Sequence, residues 1–215
     1  MSMGSTDKGL LTPENCAVIF IDHQPQMFVG VANRDRQDLL NNVLVLAKTA
    51  KIFSVPVILS AVESEGFSGS ITPQLRNLFP DRSPIVRSSM NAWDDRAFVT
   101  AVKTSGRKNL VFAALWAEVC LVMPALQALT DGYGVYAVVD ACGTISALAQ
   151  YNAIRRIEQA GAVSVSALQL LLEFQRDWSR REHYDEVVRL LNEHQPAYSP
   201  SQTQDADQNN IGVHV

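Results

Sequence analysis

The run Leu110-Val111-Phe112-Ala113-Ala114-Leu115-Trp116-Ala117 carries no charged side chain and leads, through Glu118-Val119, to Cys120. A strand with one wet face alternates apolar and polar residues, so a short run that is apolar throughout predicts burial on both faces, as in a parallel sheet between two helix layers. Cys16-Ala17-Val18-Ile19-Phe20-Ile21 is a second run of this kind. Val55-Pro56-Val57-Ile58-Leu59-Ser60-Ala61, Ser83-Pro84-Ile85-Val86-Arg87, Tyr133-Gly134-Val135-Tyr136-Ala137-Val138-Val139 and Ala162-Val163-Ser164-Val165-Ser166 give further extended pieces. Between them, apolar residues recur at three and four residue steps, as at Leu39, Leu40, Val43, Leu46, Ala47, Ala50 and Ile52, and predict helices over 38–53, 96–104, 121–129, 147–159, 167–176 and 183–192. Strands alternating with helices indicate a three-layer α/β/α fold around a doubly wound, mostly parallel, Rossmann-like sheet, with right-handed crossovers.

A chain of 215 residues fits one core. The polar segment 1–9 reads as a flexible leader, 10–198 as the domain, and the stretch 199–215, rich in Ser, Gln, Asp and Asn, as a mobile tail. A net charge of -4 without a basic cluster argues against nucleic acid or an anionic membrane surface as partner. No apolar stretch is long enough to span a bilayer. The three cysteines, Cys16, Cys120 and Cys142, are odd in number and lack C-x-x-C or Cys/His spacing, which argues against a disulfide framework and structural zinc and places the chain in a reducing, cytoplasmic setting.

Open parallel sheets bind ligands beyond the carboxyl ends of their strands. Asp22 follows Cys16–Ile21 at that edge, Arg87 closes a short extended piece, and Cys120 stands where the long apolar run gives way to helix. A helix start favours thiolate over thiol, so Cys120 suits a nucleophile and is expected to be the most acidic thiol of the chain. Free cysteines are also common as small core hydrophobes, and Asp22 could equally cap a loop. Pro25 is expected to end any regular element after Asp22. Glu63-Ser64-Glu65-Gly66-Phe67-Ser68-Gly69-Ser70 is a candidate substrate loop without a histidine.

Phe20-Ile21-Asp22-His23-Gln24, Asn91-Ala92-Trp93-Asp94, Glu118-Val119-Cys120 and Asp140-Ala141-Cys142-Gly143-Thr144 together resemble the isochorismatase-like cysteine hydrolases, in their YcaC-related branch, from about 15 to 198. The resemblance implies a triad of aspartate, lysine and cysteine, with Asp22 as acid/base, Cys120 as nucleophile and Arg87 in the lysine position. A guanidinium holds its charge, so Arg87 would polarise without shuttling protons. The resemblance also implies a cis peptide between Leu115 and Trp116, with the Trp116 and Cys120 N–H groups aimed at an oxyanion. Gln24 and Asn91 are candidate polar pocket residues, and Phe28 and Trp93 candidate walls. Relatives of the nicotinamidase type hold a metal with histidines after the second strand; Glu63 and Glu65 stand there instead, so no metal and no other cofactor is expected.

The implied function is hydrolysis of a small-molecule amide or related acyl bond through a Cys120 thioester. The alternative is a nonhydrolytic binding or scaffold oligomer that keeps the fold. A dinucleotide-binding domain is disfavoured, since no G-x-G-x-x-G follows the first strand. The resemblance implies a homo-oligomer, an octamer in the branch named. Leu170, Leu171, Leu172, Phe174 and Trp178 also crowd one short segment and predict a subunit contact there.

Overall fold

The computed structural model describes residues 9–194. Most of the leader and the whole tail lie outside the described residues. Six strands form one sheet in the order β3-β2-β1-β4-β5-β6: β1 Cys16–Ile21, β2 Val57–Val62, β3 Ile85–Arg87, β4 Asn109–Ala114, β5 Gly134–Val138 and β6 Val163–Val165. Every pairing is parallel. The four longer strands β1, β2, β4 and β5 are buried at each position, which is why their runs show no alternation.

The helices are α1 Pro25–Val29, α2 Arg36–Ile52, α3 Pro73–Arg76, α4 Arg96–Thr104, α5 Val122–Thr130, α6 Ala147–Ala160, α7 Ala167–Gln175 and α8 Tyr184–His194. Helices α2, α7 and α8 pack on one another, as do α5 and α6. Local caps set several starts: Asp35 accepts from Gln37 and Asp38 N–H, Asp95 from Phe98 N–H, Ser146 from Ala149 N–H and Ser166 from Gln169 N–H. At the far end of α6, Gly161 adopts φ 111°, a left-handed conformation that a side chain would disfavour.

β1 ends at Ile21, ahead of Pro25, as expected, but Pro25 does not keep the segment after it irregular. It opens α1 at the first helical position, where its missing N–H would have had no partner. The expected contact face on α7 is likewise corrected. Leu170, Leu171 and Phe174 are buried within the chain, because α2 and α8 both lie against α7. Trp178 alone of that group is exposed, at 44%, and its ring meets Tyr184 edge-on. Exposed apolar side chains gather instead on segments that follow strand ends: Val29, Phe67, Met90, Met123, Ile145 and Leu148.

Candidate active site

The strand order reverses between β1 and β4, and their last residues are in register, Ile21 opposite Ala114. A crevice therefore opens where Asp22 and Leu115 leave the sheet side by side. Asp22 turns at φ 59°, a left-handed conformation that aspartate tolerates better than most residues, while its N–H donates to Ser60 O at 2.9 Å. Arg87 reaches the same place from β3. Its Nη2 donates to Asp22 Oδ2 at 2.5 Å, and neither side chain is exposed.

The other two guanidinium nitrogens are engaged as well. Nε donates to Ser60 Oγ at 3.1 Å, and Nη1 donates to the carbonyls of Ser89 and Met90. The Ser60 hydroxyl in turn donates to Ile85 O at 3.2 Å. Sequence reasoning passed over Ser60. Its signal was a lone hydroxyl inside the apolar run of β2, since a buried polar group needs a partner.

After β4 the Leu115–Trp116 peptide bond is cis, and Ala117–Leu121 form a π-helical turn before α5 begins. Pro124 lacks the N–H that would bond the Cys120 carbonyl, which suits a widened turn at this point. Leu115 bridges to Gly143, and Ala117 N–H donates to Gly143 O at 2.9 Å, fixing the turn against the segment after β5. Trp116 is held from the other side. Its Nε1 donates to Met27 O at 2.9 Å, and its ring lies so close to Gly30 that a Cβ there would sit 2.2 Å from Cζ2.

Cys120, 5% exposed, faces Asp22. The thiol engages that carboxylate more loosely than Arg87 does, since Asp22 Oδ1 accepts no close hydrogen bond. Burial raises the Asp22 carboxyl above its ordinary value, partly offset by Arg87 and by the Cys120 thiol. Burial also pushes the Cys120 thiol up; the Asp22 charge adds to this, while Arg87 and a backbone hydrogen bond from Trp116 oppose it. Two acids, Asp22 and Cys120, thus share one cation, Arg87, in a buried site.

Two expectations change here. The helix start does not make Cys120 an acidic thiol in the resting site: burial pushes it up, as it does Cys16 and Cys142, both to about 12. The helix-start argument omitted the Asp22 charge and the desolvation. The Cys120 N–H, expected to be aimed at an oxyanion, donates to Trp116 O at 2.8 Å as part of the turn.

The candidate pocket residues separate. Gln24 is wholly buried and staples the end of β2: its Nε2 donates to Val62 O at 2.9 Å and to Gly69 O, and its Oε1 accepts from Val62 N–H. Asn91 caps the 3-10 turn Ala92–Asp94 and donates to Asp94 and Gln127. Trp93 donates from Nε1 to Asp131 Oδ2 at 2.9 Å and packs edge-on to Phe98 and Tyr133. Asp131 follows the last residue of α5, at the end opposite Cys120, so Trp93 is a core residue rather than a pocket wall. Phe28 is half-buried on α1, with its ring against His23, and stays a candidate wall.

His23, between β1 and α1, is buried completely. Its Nε2 pairs with Ala141 O at 3.2 Å, its Nδ1 has no hydrogen-bond partner, and burial lowers it to about 4. Glu118 Oε1 accepts from Ile145 N–H at 3.4 Å. Among the described residues no group of three or more His, Cys, Asp or Glu side chains is placed to hold a metal ion. No described helix is long and apolar enough to cross a membrane. A cavity of about 510 Å³ beside Phe53, Glu173 and Arg176, and a groove of about 980 Å³ beside Leu59, Ile85 and Thr100, lie away from Cys120.

Residues 16–169 match the model of the isochorismatase domain. The chain is 36% identical to the probable hydrolase YcaC of Escherichia coli K12, over 87% of this chain and 90% of that one. The crystal structure of the Escherichia coli ycaC product, an octameric hydrolase of unknown specificity, superposes with a TM-score of 0.87 at 34% identity, covering 94% of this chain and 98% of that one. YcaC from Pseudomonas aeruginosa, solved with covalent acrylamide, superposes with a TM-score of 0.88 at 34% identity over 94% of this chain and all of that one.

Proposed function

Because the chain belongs to the isochorismatase family of hydrolases, we propose that it hydrolyses a C–N amide or related acyl bond of a small molecule, with Cys120 as nucleophile. The observation that carries this is the buried cluster in which one carboxylate, Asp22, meets both the Arg87 guanidinium and the Cys120 thiol. In the first half-reaction the thiol proton passes to Asp22 as sulfur bonds to the acyl carbon and the carbonyl electrons move onto oxygen. Return of those electrons breaks the acyl bond, and Asp22 protonates the leaving amine. Water then attacks the thioester, giving one proton to Asp22, and the released sulfur recovers it.

Arg87 takes no proton in this scheme. It keeps a positive charge beside the pair, so that moving the proton from sulfur to Asp22 exchanges one anion for another next to the same cation. The raised thiol fits this role, because proton transfer within the pair replaces ionisation to solvent. The Trp116 N–H, whose placement favours an ionised Cys120 sulfur, is the backbone donor for the developing oxyanion in this scheme.

We assign the reaction no metal and no other cofactor, and place the protein in the cytoplasm, where its three free cysteines stay reduced. Its partners are a small-molecule substrate and further copies of itself in a homo-oligomer, an octamer like that of the Escherichia coli relative. A nonhydrolytic binding protein is the second reading, favoured by a guanidinium held at each of its three nitrogens.

Acrylamide labelling of Cys120, followed by mass spectrometry, tests the proton transfer through Asp22→Asn. If Asp22 is the base, the variant labels more slowly at pH 7. If Asp22 is only a repelling charge, its removal makes labelling faster, and the mechanism fails. Labelling across a panel of amides and esters without turnover would establish the binding reading instead.

A further inference from the structure

Ser60 joins both members of the buried ion pair. Its carbonyl accepts the Asp22 N–H at 2.9 Å, and its hydroxyl accepts from Arg87 Nε at 3.1 Å while donating to Ile85 O. Its side chain has no solvent contact to replace either bond. The bond to Nε fixes the rotation of the guanidinium plane, and that rotation decides whether Nη2 or Nη1 points at Asp22. A lysine in the same place would carry a methylene where arginine carries Nε, and would offer the Ser60 hydroxyl no donor, leaving it only its bond to Ile85 O.

We propose that Ser60 is a positioning residue specific to arginine at position 87: it accepts from Nε and thereby aims Nη2 at Asp22. This rests on the reading of Cys120 as the reactive thiol only for the first readout below. Removing the hydroxyl leaves a charged N–H buried without an acceptor, which favours a tilted guanidinium and weakens the support of the shared negative charge. The pH at which Cys120 becomes reactive then rises.

The test is a double-mutant cycle of Ser60→Ala and Arg87→Lys in the full chain, read by the pH profile of Cys120 labelling with acrylamide. S60A is expected to slow labelling at pH 7 by roughly tenfold and shift the profile to higher pH in the Arg87 protein. In the R87K background the same change is expected to move the rate by less than about twofold. An equal effect of S60A in both backgrounds, or none in the Arg87 protein, overturns the proposal.

A Cys120 that is inert in the unaltered chain counts against the hydrolase reading alone. The same four proteins then report through their thermal midpoints. S60A should lower the midpoint by about 3 °C or more in the Arg87 protein and by clearly less in the R87K background, where only the bond to Ile85 O is lost. Additive losses overturn the positioning role.

Discussion

Arg87 Nη2 stands 2.5 Å from Asp22 Oδ2, from the end of β3 across β2 to the end of β1, with both side chains closed to solvent. A buried pair of this kind is costly to break from one side, because the survivor keeps a charge without a counterion. Arg87→Met should lower unfolding stability by about 3–5 kcal/mol. Adding Asp22→Asn to that variant should recover part of the loss, since the stranded charge is then gone. Urea midpoints of the single and double variants check both statements.

His23 gives the fold an acid limb. Burial holds its imidazole at about 4, below the ordinary 6.5, so between those values the unfolded chain binds a proton that the folded chain refuses. Its contribution is full above pH 6.5 and is lost as pH falls towards 4, on the order of 3 kcal/mol in all. His23→Gln keeps a donor for Ala141 O without titrating. The stability of that variant should fall less steeply over the same window than that of the parent, measured by urea unfolding at a series of pH values.

Gly30 adjoins Trp116 at ordinary backbone angles, so its requirement is space alone. Gly30→Ala would place a methyl 2.2 Å from Trp116 Cζ2 and drive the indole off the Met27 carbonyl. A loss of about 1–3 kcal/mol is expected from this overpacking. Slower labelling of Cys120 should accompany it, because the Trp116 carbonyl fixes the Cys120 N–H. Thermal midpoint and labelling rate together test this; an unchanged rate would show that the Trp116 ring does not position the turn.

Trp93 sits at the opposite end of α5 from Cys120 and donates to Asp131. Trp93→Phe leaves Asp131 without that donor and should cost about 1–2 kcal/mol. The rate of Cys120 labelling should stay as in the parent. A variant that keeps its stability but labels differently would return Trp93 to the pocket.

The apolar side chains exposed after the strand ends, with Phe67 at 71%, are the ones a subunit contact would cover. Light scattering at micromolar concentration should give a multiple of the 23.6 kDa chain. A mass near that of one chain would contradict the assembly.

The sequence by itself determined the layered fold, because unbroken apolar runs and three and four residue spacing are local patterns that burial imposes directly. Helix Arg96–Thr104 has the limits its periodicity implies, and strands β1 and β4 stand where their runs lie. The placement of Asp22 at the end of β1 was legible for the same reason, whereas Cys120 stands beyond the Ala114 end of β4, inside the π-helical turn Ala117–Leu121. What spacing could not give were distances between strands that are remote in sequence. Ser60 became visible only once β2 lay between β1 and β3, and Asn91 and Gln24 showed their roles only when Gln127, Val62 and Gly69 reached them. The acidity of Cys120 belongs to the same class. Helix position is written in the chain, but the Asp22 charge and the loss of water around the sulfur arise from packing, and in a buried site those two effects outweigh a helix start.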